Sequence, residues 1–228
     1  MKTVLVTGVA HGIGKAIAEK LSQQYRVLAL DKEIPTHHFF EQFYTCDLSN
    51  AEALYKTISI IQKEHKTLYG LINNAGIFIH KPLNEQSLQD WEKVIAVNLT
   101  APYILSQAFA PCLEHGHIIN IASTRAYMSE SGTEPYSASK GGIIALTHAL
   151  SISLSGKVSV NSISPGWINT DESYVATVEE KAWHSSGRVG KPSDIAEVVA
   201  FLLEREDGFI TGSDFVVDGG VTKKMVYP

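Results

Sequence analysis

Tyr136 and Lys140 stand four residues apart in Tyr-Ser-Ala-Ser-Lys, a spacing that puts a phenol and an ammonium on one face of a helix. A free phenol, with a pKa of about 10, is a poor base near neutrality, and a nearby cation stabilises its phenolate. Such a pair is suited to moving a proton to or from a hydroxyl. Standing alone, it equally fits a solvated pair on a helix surface.

A second group of residues is suited to a phosphate. Thr7-Gly8-Val9-Ala10-His11-Gly12-Ile13-Gly14 follows a β-branched run and opens an apolar helical repeat. Glycines there let the backbone approach a pyrophosphate, and the helix N-terminus offers free N–H donors. Asp31 ends the next apolar run, seventeen positions after Gly14, where a dinucleotide fold places an acid that accepts from the adenosine ribose hydroxyls. Its charge repels a 2′-phosphate, so NAD is expected over NADP; Lys32 partly offsets that charge and keeps NADP open. Asp47-Leu48 suits either an adenine amino group or the cap of the following helix, with equal weight. Asn73-Asn74-Ala75-Gly76 has side chains small enough for the backbone to pass beside a ribose, and is otherwise a turn.

The elements that must position these residues alternate. Strands are predicted at 3–7, 26–31, 43–46, 68–73, 117–121, 158–164 and 215–217, and helices from Ile13, then at 51–65, 87–115, 136–155 and 193–205. Ser87 and Asp90 have the spacing of a capping box. Apolar runs such as Arg26-Val-Leu-Ala-Leu-Asp31 read as strands covered on both faces. The alternation predicts an α/β fold with a doubly wound parallel sheet, a Rossmann-like three-layer sandwich in a single domain over 1–228. The stretch 167–190 has neither pattern and follows a strand end, which makes it a candidate substrate lid.

In this order the motifs resemble the short-chain dehydrogenase/reductase family: Thr7-Gly8-x3-Gly12-x-Gly14, Asn73-Asn74-Ala75-Gly76, Ser123, Tyr136-x3-Lys140 and Pro165-Gly166. The resemblance runs from Thr3 to about Gly220. It implies hydride transfer between nicotinamide and a carbinol carbon, with Tyr136 moving the hydroxyl proton, Ser123 orienting the oxygen and Lys140 also binding the nicotinamide ribose. Asn98 matches a fourth member that helps hold a water beside the lysine. Pro102 adds a physical reason, since it lacks the N–H that would bond the Asn98 carbonyl. Pro165, Gly166, Ile168 and Thr170 resemble the segment contacting the nicotinamide. Arg188 to Ala196 and Val217 to Gly220 resemble family segments of structural role. The resemblance also implies a homodimer or homotetramer built on the helices at 87–115 and 136–155.

Composition narrows the classes. The chain has 228 residues, is 44% apolar and 19% charged, and carries a formal charge of −5 with no block of like charges, the profile of a globular protein without a nucleic-acid or membrane partner. The N-terminal apolar run is too short for a signal peptide and no segment reads as a membrane span, so a cytoplasmic location is expected. Cys46 and Cys112 read as buried, reduced thiols. His37-His38, and His115 with His117, lack acids at metal-ligand spacing and read as solvated loops. Candidate pocket residues are His80, Arg125, Trp167, Tyr174, Trp183 and His184. Arg125 could pair a substrate carboxylate, but a bridge to Glu130 or Glu134 is slightly favoured. The expected substrate is a small polar secondary alcohol or ketone: a sugar, polyol or hydroxy acid. NADPH-dependent 3-oxoacyl reduction and non-catalytic dinucleotide sensing are the alternatives. The tail from Val221 to Pro228 is expected to approach a neighbouring subunit's site.

Overall fold

The computed structural model describes residues 1–113, 115–171 and 173–225; the end of the tail, 226–228, lies outside them. Its centre is a seven-stranded sheet in the order β3-β2-β1-β4-β5-β6-β7. The strands are β1 (Thr3–Thr7), β2 (Arg26–Asp31), β3 (Gln42–Thr45), β4 (Gly70–Asn73), β5 (Gly116–Ile121), β6 (Val158–Pro165) and β7 (Asp214–Val217). All six pairings are parallel, which bears out the predicted fold class.

Alternation along each strand divides one apolar run between two cores. In β1, Leu5 joins Leu28, Leu71 and Ile118 on one face, whereas Val4 and Val6 join Val27, Ala29, Ile72 and Ile119 on the other. Helices α1 (Gly12–Ser22) and α7 (Pro192–Leu203) cover the second face, through Ile17, Leu21, Ile195 and Val199. Helices α2 (Ala51–Glu64) and α4 (Ala101–Phe109) cover the first, through Leu54, Ile58, Leu105 and Phe109. Burial on both faces is why these strands are nearly unbroken in apolar sequence. Strand order reverses direction at β1, which lies between β2 and β4, and a crevice at such a switch point is where open α/β sheets take their ligands.

The helix expected at 87–115 differs in detail. It begins as α3 (Leu88–Ile95) under the Ser87–Asp90 capping box, widens to a π-turn at Ala96–Thr100, continues as α4 and ends at Cys112. In the π-turn the Ala101 N–H bonds the Ala96 carbonyl, five residues back. The cause is Pro102, which cannot donate to Asn98 and would crowd its carbonyl in a regular turn. Contrary to the sequence reading, Leu88–Cys112 is long and apolar enough to cross a membrane by length and composition; half of its apolar stretch is buried inside the fold.

Two smaller expectations also fail. Cys46 is buried but Cys112 only partly so. His117 lies in β5, buried against Tyr69, because both faces of that strand are covered. Among the described residues, no group of three or more His, Cys, Asp or Glu could hold a metal ion.

Candidate active site

Two hollows lie along the carboxyl edge of the sheet. The smaller, about 380 Å³, is lined by Gly8, His11, Ile13, Gly14, Asp31, Leu48, Asn74, Ala75 and Gly76, with Lys32, Glu33, Cys46 and Thr170. The larger, about 900 Å³, is lined by Ser123, Tyr136, Lys140, Pro165, Gly166, Ile168 and Thr170, among others. Ile13, Asn74, Gly76, Ile77 and Thr170 border both, so the two are continuous. Gly12, Asp47 and Asn98 border neither.

The glycine turn is built for close approach. Gly8 and Gly12 have φ of +70° and +59°, which side chains disfavour. A Cβ at Gly14 would stand 1.8 Å from the Gly8 carbonyl oxygen. His11, the N-cap of α1, makes no side-chain capping bond. Behind the turn, the Thr7 hydroxyl accepts from the Asn74 and Ala75 N–H groups, and the Asn74 amide donates to the Thr7 and Gly8 carbonyls at 2.9 and 3.0 Å. Asn74 thus clamps the β1 turn to the end of β4; Thr7, as the hydroxyl that receives both N–H groups, was not singled out by the sequence reading.

Asp31 is held at the rim, its two carboxylate oxygens accepting from the Ala10 and Glu33 N–H groups. Lys32 lies 3.5 Å from Glu33. Asp47 accepts from the Ser49 N–H and hydroxyl, while Asn50 caps α2. The capping alternative for Asp47 is therefore corrected: its carboxylate closes the turn that delivers Asn50 to the cap.

In the larger hollow, β5 ends at Ile121 and Ser123 follows with its Oγ accepting from the Arg125 N–H at 3.1 Å. Tyr136 and Lys140 enter from the first turns of α5 (Glu134–Ser153), as their spacing requires. Lys140 is buried, and its Nζ donates to the Ile121 carbonyl at 2.8 Å. Desolvation pushes its pKa down to about 8. The Tyr136 pKa is raised rather than lowered: burial dominates, opposed by the Ser123 hydroxyl and the Arg125 charge. The expectation that the ammonium four residues on lowers the phenol's pKa is therefore corrected: burial outweighs it. The ammonium is turned to Ile121 and lies 5.5 Å from the centroid of the Tyr136 ring.

Asn98 stands behind this pair, exchanging hydrogen bonds with the Ile77 backbone at 2.8 and 2.9 Å and donating to Ser139. Its side chain fixes the segment after Gly76. The remaining wall is partly as expected. Arg125, Glu130, Trp167, Trp183 and His184 line the hollow, as do Phe78, Met128 and Glu180, which sequence patterns did not single out. Phe78 meets the Tyr136 ring edge-on at 5.0 Å. His80 instead contacts the Ser131 carbonyl, and Tyr174 packs on Trp167 outside the hollow. Arg125 pairs with Glu130 at 2.6 Å, the structural reading that was favoured.

The stretch 167–190 is closed at its base by a parallel bridge between Ile168 and Gly190. It carries α6 (Val178–Trp183). Arg188 forks onto Asp194 at 2.6 and 2.7 Å, anchoring the exit to α7.

Residues 8–222 match a family model described as enoyl-(acyl carrier protein) reductase. An uncharacterised oxidoreductase of Thermotoga maritima is 40% identical, with 99% of this chain and 98% of that protein covered. A 3-oxoacyl-[acyl-carrier-protein] reductase of Aquifex aeolicus is 33% identical over 96% of this chain and 97% of its own. The solved structure of 4-hydroxyisoleucine dehydrogenase complexed with NADH is 34% identical, with a TM-score of 0.90, covering 99% of this chain and 100% of that one.

Proposed function

The chain belongs to the short-chain dehydrogenase/reductase family, oxidoreductases of CH–OH groups, and from that premise we propose that it interconverts a small polar secondary alcohol and its ketone with NAD(H). The observation that carries this reading is the meeting of Ser123, Tyr136 and Lys140 in one hollow that opens into the glycine cradle ending at Asp31. The cradle fits a dinucleotide: the glycines leave its floor bare, the α1 N-terminus is uncapped by its own side chain, and the Asp31 oxygens retain free lone pairs at the rim.

A nicotinamide dinucleotide would supply the hydride acceptor or donor and, when oxidised, a positive charge beside the phenol. This chain's residues do the rest. Ser123 Oγ already accepts from Arg125, which leaves its O–H to donate to the substrate oxygen and hold it. Tyr136 takes the hydroxyl proton during oxidation and returns it during reduction. Lys140, steadied by the Ile121 carbonyl, holds a ribose hydroxyl and keeps a positive charge near the phenol. Gly8, His11, Gly12, Ile13 and Gly14 cradle the pyrophosphate, Asp31 the adenosine ribose, Asp47 and Leu48 the adenine, Asn74, Ala75 and Gly76 the second ribose, and Pro165, Gly166, Ile168 and Thr170 the carboxamide. Asp31 with Glu33 beside it favours NAD over NADP.

The test is nicotinamide absorbance during turnover of sugars, polyols, hydroxy acids and simple secondary alcohols with NAD or NADP. Tyr136→Phe is expected to lower kcat by about 10²- to 10⁴-fold while NADH still binds; unchanged turnover by that variant overturns the mechanism. The acyl-carrier relatives favour a second reading, NADPH-dependent 3-oxoacyl reduction, which a 3-oxoacyl thioester in the same assay decides. Exposed Trp91, Tyr103 and Ile152 on α3, α4 and α5 support a symmetric homodimer or homotetramer, to be measured by light scattering.

A further inference from the structure

On the reading that the cradle takes a nicotinamide dinucleotide, the choice of dinucleotide rests on Asp31, and its carboxylate has to be aimed. Its Oδ2 accepts from the Ala10 N–H at 2.9 Å. That N–H shares one planar trans peptide unit with the Val9 carbonyl, so the two point in opposite directions and turn together. The Val9 carbonyl oxygen lies 2.9 Å from His37 Nε2. One peptide of the glycine turn is therefore gripped at both ends, by Asp31 on its N–H and by His37 on its carbonyl.

His37 is not the solvated loop residue that its place in His37-His38 suggests. It is half-buried in the connection 32–41 between β2 and β3. A carbonyl only accepts, so Nε2 carries the proton, and Nδ1 is left to accept from the Phe39 N–H at 3.4 Å. The two bonds thus agree on one tautomer. The ring stacks on Phe39 at 4.9 Å and meets Phe40 edge-on at 6.0 Å, and both phenylalanines pack against the core that α1 covers. A supported ring carries the donor, as a positioning contact requires. Asn74 holds the carbonyls of Thr7 and Gly8; His37 takes the next one along the turn.

We propose that His37 is a positioning residue for cofactor selection, aiming Asp31 at the adenosine ribose through the Val9–Ala10 peptide. His37 borders neither hollow, whereas Asp31 borders the smaller one, so the influence of His37 on the cofactor passes through that peptide. A donor on the Val9 carbonyl polarises the peptide and strengthens the Ala10 N–H as a donor to the carboxylate. It also resists rotation of the peptide, which would take that N–H away from Oδ2 and let the carboxylate swing from the rim. A carboxylate so released binds ribose hydroxyls less well and repels a 2′-phosphate less. Both effects shrink the difference between NADH and NADPH.

The test is fluorescence titration of the full chain with NADH and with NADPH, without substrate, in variants each checked by a thermal melt. His37→Phe keeps a ring on Phe39 and removes the donor; His37→Leu removes both; His37→Gln restores an N–H; Asp31→Ala removes the group to be aimed. The expected result in His37→Phe is an NADH Kd raised about three- to tenfold, an NADPH Kd unchanged or lowered, and partial recovery in His37→Gln. In an Asp31→Ala background the same substitution should change the NADH Kd by less than about twofold, because a residue acting through Asp31 has nothing left to act on. If the phenylalanine variant melts below the assay temperature, the leucine variant carries the same comparison. Independent losses of NADH affinity in the double variant, equal weakening of NADH and NADPH, or no change in either overturn the role of His37 while leaving the cofactor reading intact. Failure of the wild type to bind either dinucleotide overturns that reading and this inference with it.

Discussion

Replacing Asp31 by asparagine should move the enzyme from NAD toward NADP. Asp31 is fixed at the rim by the Ala10 and Glu33 N–H groups, at 2.9 and 3.1 Å, so its charge cannot swing away from an added phosphate. Two unit charges about 5 Å apart at an effective permittivity of about 20 repel by about 3 kcal/mol, roughly a hundredfold in binding. Lys32 does not cancel this, because it faces Glu33 at 3.5 Å; Glu33 is exposed, so its own repulsion is screened. Wild-type kcat/KM should then favour NAD over NADP by about 10²-fold or more. In Asp31→Asn the NADP value should rise by about 30- to 100-fold. The NAD value should fall by about tenfold or more, since hydrogen bonds to a charged acceptor contribute about 1.5–3 kcal/mol. Initial rates by nicotinamide absorbance with the preferred alcohol measure both, and added salt should narrow the wild-type preference. Equal use of the two cofactors by the wild type, or an unchanged ratio in Asp31→Asn, would refute the reasoning.

Gly14→Ala should abolish NADH binding and lower the melting temperature, because its Cβ would lie 1.8 Å from the Gly8 carbonyl oxygen and the turn must open; fluorescence titration of NADH with a thermal melt checks both. Burial in β5 pushes the His117 pKa from 6.5 down to about 4. Between those values the unfolded chain binds a proton that the folded chain refuses, so stability falls as pH drops through that window, by about 3 kcal/mol at most at about 1.4 kcal/mol per pH unit. Urea unfolding at both ends of the window should show a shallower acid loss in His117→Phe, and parallel losses in the two proteins would contradict this. Because burial raises the Tyr136 pKa, ultraviolet difference titration should give no Tyr136 phenolate below pH ~10 without cofactor. Saturating NAD should lower that titration, with Tyr136→Phe as the blank; an acidic phenol in the free enzyme would refute the account.

The order of strands and helices was legible because each element is buried on the face its period exposes. Val4, Val6 and Leu5 fill two cores from one run, and Tyr136 and Lys140 enter one hollow because four residues make about one helical turn. What sequence hid was decided by atoms from distant segments. The spacing of Tyr136 and Lys140 said nothing of the Ile121 carbonyl that claims the ammonium, or of the desolvation that raises the phenol. Asp47 matched a cap by composition, yet Asn50 stood closer to the helix start and took the position.

The π-turn shows how a local rule and a distant need combine. Pro102 forbids one regular bond, and sequence alone assigns the freed carbonyl to Asn98. Only the fold shows that the widened turn carries a buried Asn98 whose amide grips the Ile77 backbone on both its N–H and its carbonyl. Ile77 borders both hollows, so the irregularity in the helix sets the wall between the cradle and the reaction hollow. A regular helix would rotate Asn98 relative to α4 and release that wall. The proline therefore shapes the site through Asn98 and Ile77, although it borders neither hollow.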